Sequence, residues 1–113
     1  MTEFIYLYRG GERAESPAEG QKQMQLWMAW MKELGEKGHL KAIGSPLETT
    51  GKLVSGKQKV VSDGPFAEAK DLIGGYTVVQ AKDINEAVDL SKGCPIFLSN
   101  GAVEVRPILQ MNM

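Results

Sequence analysis

Apolar segments along the chain predict four β-strands. The segment EFIYLY, residues 3–8, is apolar and aromatic and is soon followed by two glycines, as expected of an interior strand that ends in a turn. HLKAIG, residues 39–44, predicts a second strand, which Ser45-Pro46 is expected to interrupt. GGYTVVQA, residues 74–81, and AVEVRPIL, residues 102–109, predict two more strands, and the proline in the last indicates a sheet edge or the end of the strand.

Two segments combine helical apolar spacing with signals for a helix start. Ser16, with Glu19 three residues later, predicts an N-cap and capping box for a first helix that Gly38 ends. Asp83 and Glu86 predict the same arrangement at the start of a second helix. The polar stretch between the second and third strands, TTGKLVSGKQKVVSD, predicts a hairpin that turns near residues 55–57.

The order of these elements predicts the fold class. Strand, helix, strand, inserted hairpin, strand, helix, strand is the βαββαβ ferredoxin-like plan of the α+β class. A length of 113 residues without repeats or linkers predicts a single domain spanning residues 1–113.

The first helix carries an unusually wide apolar arc. Leu26 and Trp30 widen it beyond what packing on one sheet requires, which indicates a second contact surface. Packing in the core and against a partner chain is the favoured interpretation, and an apolar ligand groove is the alternative. The main stripe consists of Met24, Trp27, Met28, Met31 and Leu34.

In a ferredoxin-like plan both helices cover one sheet face, and the other face meets solvent or a second protein. Side chains alternate along a strand, so Ile5 and Leu7 share one face of the first strand. Assigning this aliphatic pair to the helices leaves Phe4, Tyr6 and Tyr8 on the open face. Exposed aromatic surface favours a homodimer in which two sheets pack face to face around a closed chamber.

Glu104 and Arg106 join the open face if the valines beside them face the helices. They are then polar groups inside the predicted chamber. The alternative is an ordinary network of ion pairs at a wet surface.

Composition excludes several classes of function. Thirteen basic and fourteen acidic residues give a net charge of -1, which argues against nucleic-acid binding. Cys94 is the single cysteine, no stretch has the length of a membrane span, and the first residues do not resemble a signal peptide. A cytoplasmic protein without membrane contact is therefore expected. One histidine and one cysteine do not supply a usual metal set, and no metal or cofactor is predicted.

Several motifs follow one another along nearly the whole chain: DGPF at 63–66, Glu68, Lys70, GGY at 74–76, Cys94-Pro95 and GAVEVRP at 101–107. Together they resemble the DGPF proteins of the YCII-related superfamily. The resemblance implies a dimeric α+β barrel. The wider superfamily is similar to small enzymes that act on small organic molecules, including dechlorinating and ring-modifying members, and some DGPF proteins are encoded beside sigma factors. One departure is that the first helix lacks the histidine of members with a proposed His and Asp pair.

The DGPF loop supplies the candidate catalytic groups. Asp63 either acts as a general acid or base or caps its own turn, and both interpretations stay open. Glu68 follows closely, and Arg106 is a natural partner for its carboxylate or for a substrate acid, although a solvated charge cluster is the commoner arrangement. The predicted catalytic residues are Asp63, Glu68 and Arg106, and the predicted substrate-binding residues are Tyr6, Tyr8, Lys70, Tyr76 and Glu104.

Two hypotheses of function follow. The first is a cofactor-free homodimer that binds a small organic acid or aromatic compound and catalyses an isomerisation or elimination by acid–base chemistry. The second is a non-catalytic binding or regulatory module, for example a partner of a sigma factor. The sequence does not decide whether the protein is an enzyme.

Overall fold

A computed structural model describes residues 1–64 and 71–111. It confirms the α+β ferredoxin-like plan with an inserted hairpin. A 3₁₀ turn, Pro95–Ser99, precedes the last strand. In chain order the elements are β1 (Thr2–Gly10), α1 (Pro17–Glu36), β2 (Leu40–Pro46), β3 (Gly51–Ser55), β4 (Val60–Gly64), β5 (Ile73–Ala81), α2 (Ile84–Ser91) and β6 (Gly101–Pro107).

The main sheet has four antiparallel strands in the order β2-β5-β1-β6. β6 is an edge strand, as its proline predicts, because a missing backbone N–H is tolerated there. β3 and β4 form a separate two-stranded hairpin at the predicted position. In the described parts of the chain, neither helix has an apolar stretch long enough to cross a bilayer.

The predicted assignment of the two faces of β1 is wrong. Tyr6 and Tyr8 are buried on the side of the helices, together with Phe4, and Ile5 and Leu7 lie on the open face. The reason is that the helix side offers acceptors for the tyrosine hydroxyls. With their hydroxyls satisfied, the large rings bury more apolar area than the two aliphatic side chains would.

Tyr6 of β1 contacts both helices. Its hydroxyl donates a hydrogen bond of 2.5 Å to the Ala87 carbonyl of α2. Its ring stacks on Trp30 of α1, with centroids 6.0 Å apart, and the Trp30 indole N–H donates to the Leu90 carbonyl at 3.3 Å. This aromatic pair is the centre of the core beneath the two helices.

β2 continues through Ser45-Pro46, where an interruption was predicted. Gly44 makes this possible by taking a φ of +74° at a bulge, and a Cβ at this position would lie 1.8 Å from the Tyr76 carbonyl oxygen. β2 is an edge strand, so Pro46 can sit in it without breaking the sheet. The strand therefore extends far enough to form one wall of a cavity.

Both helix starts have their predicted caps. The Ser16 hydroxyl accepts from the Glu19 N–H at 3.1 Å, and the Asp83 carboxylate accepts from the Glu86 N–H at 2.9 Å. The returning contact of each box differs from the prediction, because the Glu19 carboxylate accepts from the N–H of Glu15 and the Glu86 carboxylate accepts from the N–H of Lys82. These caps satisfy backbone donors that have no partner within the helix.

Candidate ligand cavity between α1 and the sheet

A cavity of about 510 Å³ lies between α1 and the end of the sheet where β1 and β2 finish and β5 begins. It is within the range of volumes of small-molecule sites. Its walls come from α1, from strands β1, β2 and β5, from the loop that joins β1 to α1, and from the 3₁₀ turn before β6. The cavity is on the helix side of the sheet, opposite the face on which a chamber was predicted.

The inner wall is aromatic. Tyr8 meets Trp27 edge to face, with ring centroids 4.8 Å apart and an interplanar angle of 87°. Trp27 in turn meets the buried Trp30 at 6.0 Å and 79°. Edge-to-face aromatic pairs contribute stability in addition to that from the apolar area they bury, and their preferred geometry restricts the orientation of the rings. The cavity is thus bounded on this side by fixed flat surfaces.

The outer wall consists of methionines. Met24, Met28 and Met31 are spaced three or four residues apart on α1 and line the cavity. Met24 is 62% exposed and Met28 is 65% exposed, whereas Trp30 and Leu34 of the same helix are buried. Flexible thioethers adapt to ligands of different shape. The wide apolar arc of α1 therefore covers both the core and the cavity. The favoured assignment of Met24 and Met28 to packing in the core or against a partner chain stays a prediction.

The strand wall depends on close backbone packing. Gly44 and Gly75 both line the cavity, and Gly75 is buried with Ser45 of β2 against it. A Cβ on Gly75 would lie 3.0 Å from the Ser45 carbonyl oxygen. Ile43 and Pro46 complete this wall with apolar surface.

Three polar groups form a chain of hydrogen bonds across the strands at the cavity. The Tyr8 hydroxyl donates to Thr77 Oγ1 at 2.7 Å, and Thr77 Oγ1 donates to the Ile43 carbonyl at 2.9 Å. Burial raises the pKa of Tyr8 above its usual range, and the hydrogen bond with Thr77 offsets only part of that effect. Tyr8 is therefore a neutral phenol at physiological pH.

Glu12 and Arg13 are the charged residues that line the cavity within the described chain. Glu12 is fixed by two contacts with the turn before β6: its N–H donates to the Ser99 carbonyl at 2.7 Å, and its carboxylate accepts from Asn100 Nδ2 at 2.8 Å. Asn100 takes a φ of +60°, a conformation that asparagine tolerates better than most residues. The cavity is thus bordered by an exposed carboxylate that one hydrogen bond orients.

The predicted substrate-binding tyrosines lie in different places. Tyr8 and Tyr76 both border the cavity, but Tyr76 is paired with Leu7, so its side chain lies on the open sheet face. Tyr6 is fully buried beneath α2, with its hydroxyl committed to the Ala87 carbonyl. Lys70 lies outside the described residues, as does the predicted catalytic residue Glu68.

The other predicted catalytic and binding residues lie away from the cavity. Asp63 is on β4 of the hairpin, where its side chain is 85% exposed and forms an ion pair with Lys52. Glu104 lies on the open sheet face, where its carboxylate pairs with Arg9 and lies 3.8 Å from Nε of Arg106. Their proposed functional roles stay predictions.

The single cysteine is part of the core. Cys94 is buried, and this burial raises the pKa of its thiol to about 12, so it is a neutral packing residue at physiological pH. No cluster of three or more His, Cys, Asp or Glu side chains suited to a metal ion occurs in residues 1–64 and 71–111.

The sequence reasoning missed Glu12, Arg13 and Thr77. The first two are charged residues in a loop, and only the fold brings them to the cavity mouth. Thr77 reads as an ordinary strand residue, since its partners are 34 and 69 positions away. The wide apolar arc of α1 was the one signal of the cavity in the sequence, because it indicated a contact surface in addition to the sheet.

Two helices on one face of a four-stranded antiparallel sheet, with a cavity under the first helix, define a ferredoxin-like α+β protein with a ligand-sized cavity. Residues 2–112 match the YCII-related domain family, and the chain belongs to this family. This result confirms the YCII-related assignment made from the sequence motifs.

One relative and one solved structure are similar to the chain. The uncharacterised protein R00369 of Rhizobium meliloti (strain 1021) is 31% identical over 102 residues, which cover 84% of this chain and 80% of that protein. The structure of 5-chloro-2-hydroxyhydroquinone dehydrochlorinase from Burkholderia phenoliruptrix AC1100, in complex with 2,5-dihydroxybenzoquinone, matches with a TM-score of 0.54. The match has 17% sequence identity and covers 96% of this chain and 95% of the other, so it establishes a common fold.

Proposed function

We propose that this protein binds a small aromatic molecule in the cavity between α1 and the sheet. The observation that carries the proposal is a cavity of about 510 Å³ whose walls are the rings of Tyr8 and Trp27 and the thioethers of three methionines. Flat rings and polarisable sulfur contact an aromatic ligand favourably on both faces. The two charged residues at the mouth leave the interior suited to an apolar ring.

The fold neighbour supports a ligand of this size. It was solved with 2,5-dihydroxybenzoquinone, a single six-membered ring with oxygen substituents. Since the two chains have only the fold in common, this supports a ring-sized ligand and leaves the reaction to experiment.

Methionine methyl groups provide a direct test of binding. In protein labelled with [methyl-¹³C]methionine, titration with phenol is expected to shift the resonances of Met24, Met28 and Met31, which line the cavity. Met1 lies at the start of β1 and is the internal control, so its resonance should stay in place. Shifts at Met1 alone, or none at saturating phenol, would contradict the proposal.

The candidate reaction is an acid–base elimination without a cofactor. Glu12 at the cavity mouth is a carboxylate, oriented by one hydrogen bond, that is able to accept a proton from a bound ring compound. The trial compound is 5-chloro-2-hydroxyhydroquinone, for which the fold neighbour is named, and chloride release is the assay. Loss of release in Glu12→Gln with retention in Asp63→Asn supports Glu12, and the opposite pattern supports the catalytic role predicted for Asp63. No release by the native protein would refute catalysis on this compound.

The proposal includes a homodimer formed through the open sheet face. Ile5, Leu7 and Val78 form an apolar centre on this face, and the Arg9–Glu104 ion pair lies beside it. A buried apolar centre with a polar surround is the usual composition of a stable interface. In such a dimer Arg106 lies at the interface between the two sheets and away from both cavities, so the catalytic role predicted for it belongs to a chamber between the sheets.

Sedimentation equilibrium tests the dimer. The native chain is expected to sediment with twice the mass of one chain, and Leu7→Lys is expected to give monomers. Leu26→Lys is the matched control, because Leu26 is an exposed leucine of α1 and not on the open face. A native monomer at micromolar concentration would refute the dimer.

A further inference from the structure

We infer that the cavity selects ligands that donate a hydrogen bond, such as phenols, over rings of similar size that only accept one. The inference rests on the proposed function, since it specifies the ligand class for the same cavity. It follows from the direction of the hydrogen-bond chain that joins Tyr8, Thr77 and Ile43.

The direction of this chain is fixed at the Ile43 end. A backbone carbonyl only accepts, so the bond of 2.9 Å between Ile43 and Thr77 uses the single hydroxyl proton of Thr77. Thr77 Oγ1 then has only lone pairs to offer to its second partner. The bond of 2.7 Å to Tyr8 therefore uses the proton of the Tyr8 hydroxyl.

Tyr8 Oη consequently has no proton left for a ligand and presents a lone pair. Donating its own proton makes this oxygen a better acceptor, because hydrogen bonds in a chain polarise one another. A ligand hydroxyl or N–H is thus complementary to Tyr8. A ligand carbonyl, ether or carboxylate oxygen at the same place would face another acceptor and lose the hydrogen bond it made to water.

The surrounding packing keeps Tyr8 in this orientation. Its ring lies edge to face against Trp27 at 4.8 Å and against Trp30 at 6.4 Å. The three members of the chain belong to β1, β5 and β2, which are adjacent in the sheet. A change of direction would require the loss of the bond to the Ile43 carbonyl.

The affinities of phenol and anisole for the native protein and for Tyr8→Phe test the inference. Anisole has a methyl group in place of the hydroxyl proton of phenol, so it cannot donate a hydrogen bond. The dissociation constants of both ligands are measured from the shifts of the methionine methyl resonances. The native protein is expected to bind phenol roughly threefold to tenfold more tightly than anisole, the usual net effect of one hydrogen bond. In Tyr8→Phe this preference should be lost. Because the difference in size between the ligands is present in both proteins, the comparison isolates the hydrogen bond.

Replacement of Thr77 provides a second test, in which the affinity for a ligand that only accepts hydrogen bonds should increase. Thr77→Val has nearly the same shape but removes the acceptor for Tyr8, whose proton becomes available to the cavity. Acetophenone, which only accepts, is expected to bind this variant severalfold more tightly than it binds the native protein. Thr77→Ser keeps the hydroxyl and should keep the native preference, so it is the control for a change of Thr77 that leaves the acceptor of Tyr8 in place.

The outcomes separate the inference from the proposed function. If phenol and anisole shift the cavity methionines with equal affinity in the native protein and in Tyr8→Phe, the inference is overturned and the proposed function stands. If neither ligand shifts these resonances, the proposed function and the inference both fall. An unfolded Thr77→Val leaves the comparison of the native protein with Tyr8→Phe and Thr77→Ser decisive.

Discussion

Gly44 is the position at which a single added methyl group should disturb the cavity wall most. It lies on β2 with a φ of +74°, and a Cβ there would be 1.8 Å from the Tyr76 carbonyl oxygen of β5. Gly38 follows α1 with a similar φ of +78°, but nothing lies within 4 Å of its would-be Cβ. The two alanine substitutions therefore carry the same backbone strain and differ in the clash alone.

The magnitudes follow from this geometry. Alanine in a left-handed conformation costs about 1 kcal/mol, which is the whole expected effect of Gly38→Ala. Gly44→Ala adds a clash that requires β2 to move by more than about 1 Å, and at this distance two or three hydrogen bonds to β5 are lost at about 1 kcal/mol each. The total is about 3 to 4 kcal/mol. For 113 residues 1 kcal/mol corresponds to about 4 °C in Tm.

Thermal and urea unfolding followed by circular dichroism measures both variants. Gly38→Ala is expected to lower Tm by about 4 °C, and Gly44→Ala by about 12 to 16 °C. Equal effects of the two substitutions would refute the close approach of β2 to β5 and, with it, the description of this cavity wall.

Three further predictions concern the core, a helix cap and pH. Tyr6→Phe is expected to lower the free energy of unfolding by about 1 kcal/mol, because the hydrogen bond to the Ala87 carbonyl is lost. Its affinity for phenol should stay unchanged. Reduced affinity without reduced stability would instead support the predicted ligand role of Tyr6. Ser16→Ala should also cost about 1 kcal/mol in urea unfolding, because it removes the acceptor for the Glu19 N–H, and a neutral effect would contradict the cap. Burial raises the pKa of the Cys94 thiol from 9.0 to about 12, so the unfolded chain loses this proton first and the free energy of unfolding should fall as pH rises above about 9. Urea unfolding between pH 7 and 10.5 should show a shallower fall in Cys94→Ala than in the native chain, and identical slopes would contradict a buried thiol.

The elements of the fold were predictable because their signals are local. Ser16 and Asp83 mark the two helix starts by side chains that bind N–H groups three residues away. The hairpin at Gly51–Gly64 is marked by a turn between two apolar pairs. Such contacts connect near neighbours, and a single sequence contains both partners side by side.

The face of β1 was not predictable from alternation, because a period of two defines two faces without saying which is covered. Aliphatic character favoured Ile5 and Leu7 for the core. The deciding partners of Tyr6 and Tyr8 are Ala87 and Thr77, which are 81 and 69 residues away. Only the assembled sheet and helices bring these acceptors within reach of the hydroxyls.

The candidate site was predictable in part for a similar reason. The arc of α1 indicated a surface beyond the sheet, and Met24, Met28 and Met31 do line the cavity. Its position under α1 depends on the bulge at Gly44 and on the end of β2, which includes Ser45 and Pro46. The sequence predicted an interruption at that point, and without the extended β2 the cavity has no outer strand wall.

Anomalous diffraction from crystals soaked with 4-bromophenol tests the central claim most directly. The account predicts a bromine peak inside the cavity between α1 and the sheet, with the phenol oxygen at about 2.8 Å from Tyr8 Oη. A bromine peak on the open sheet face beside Ile5 and Leu7, with an empty cavity at saturating ligand, would contradict it.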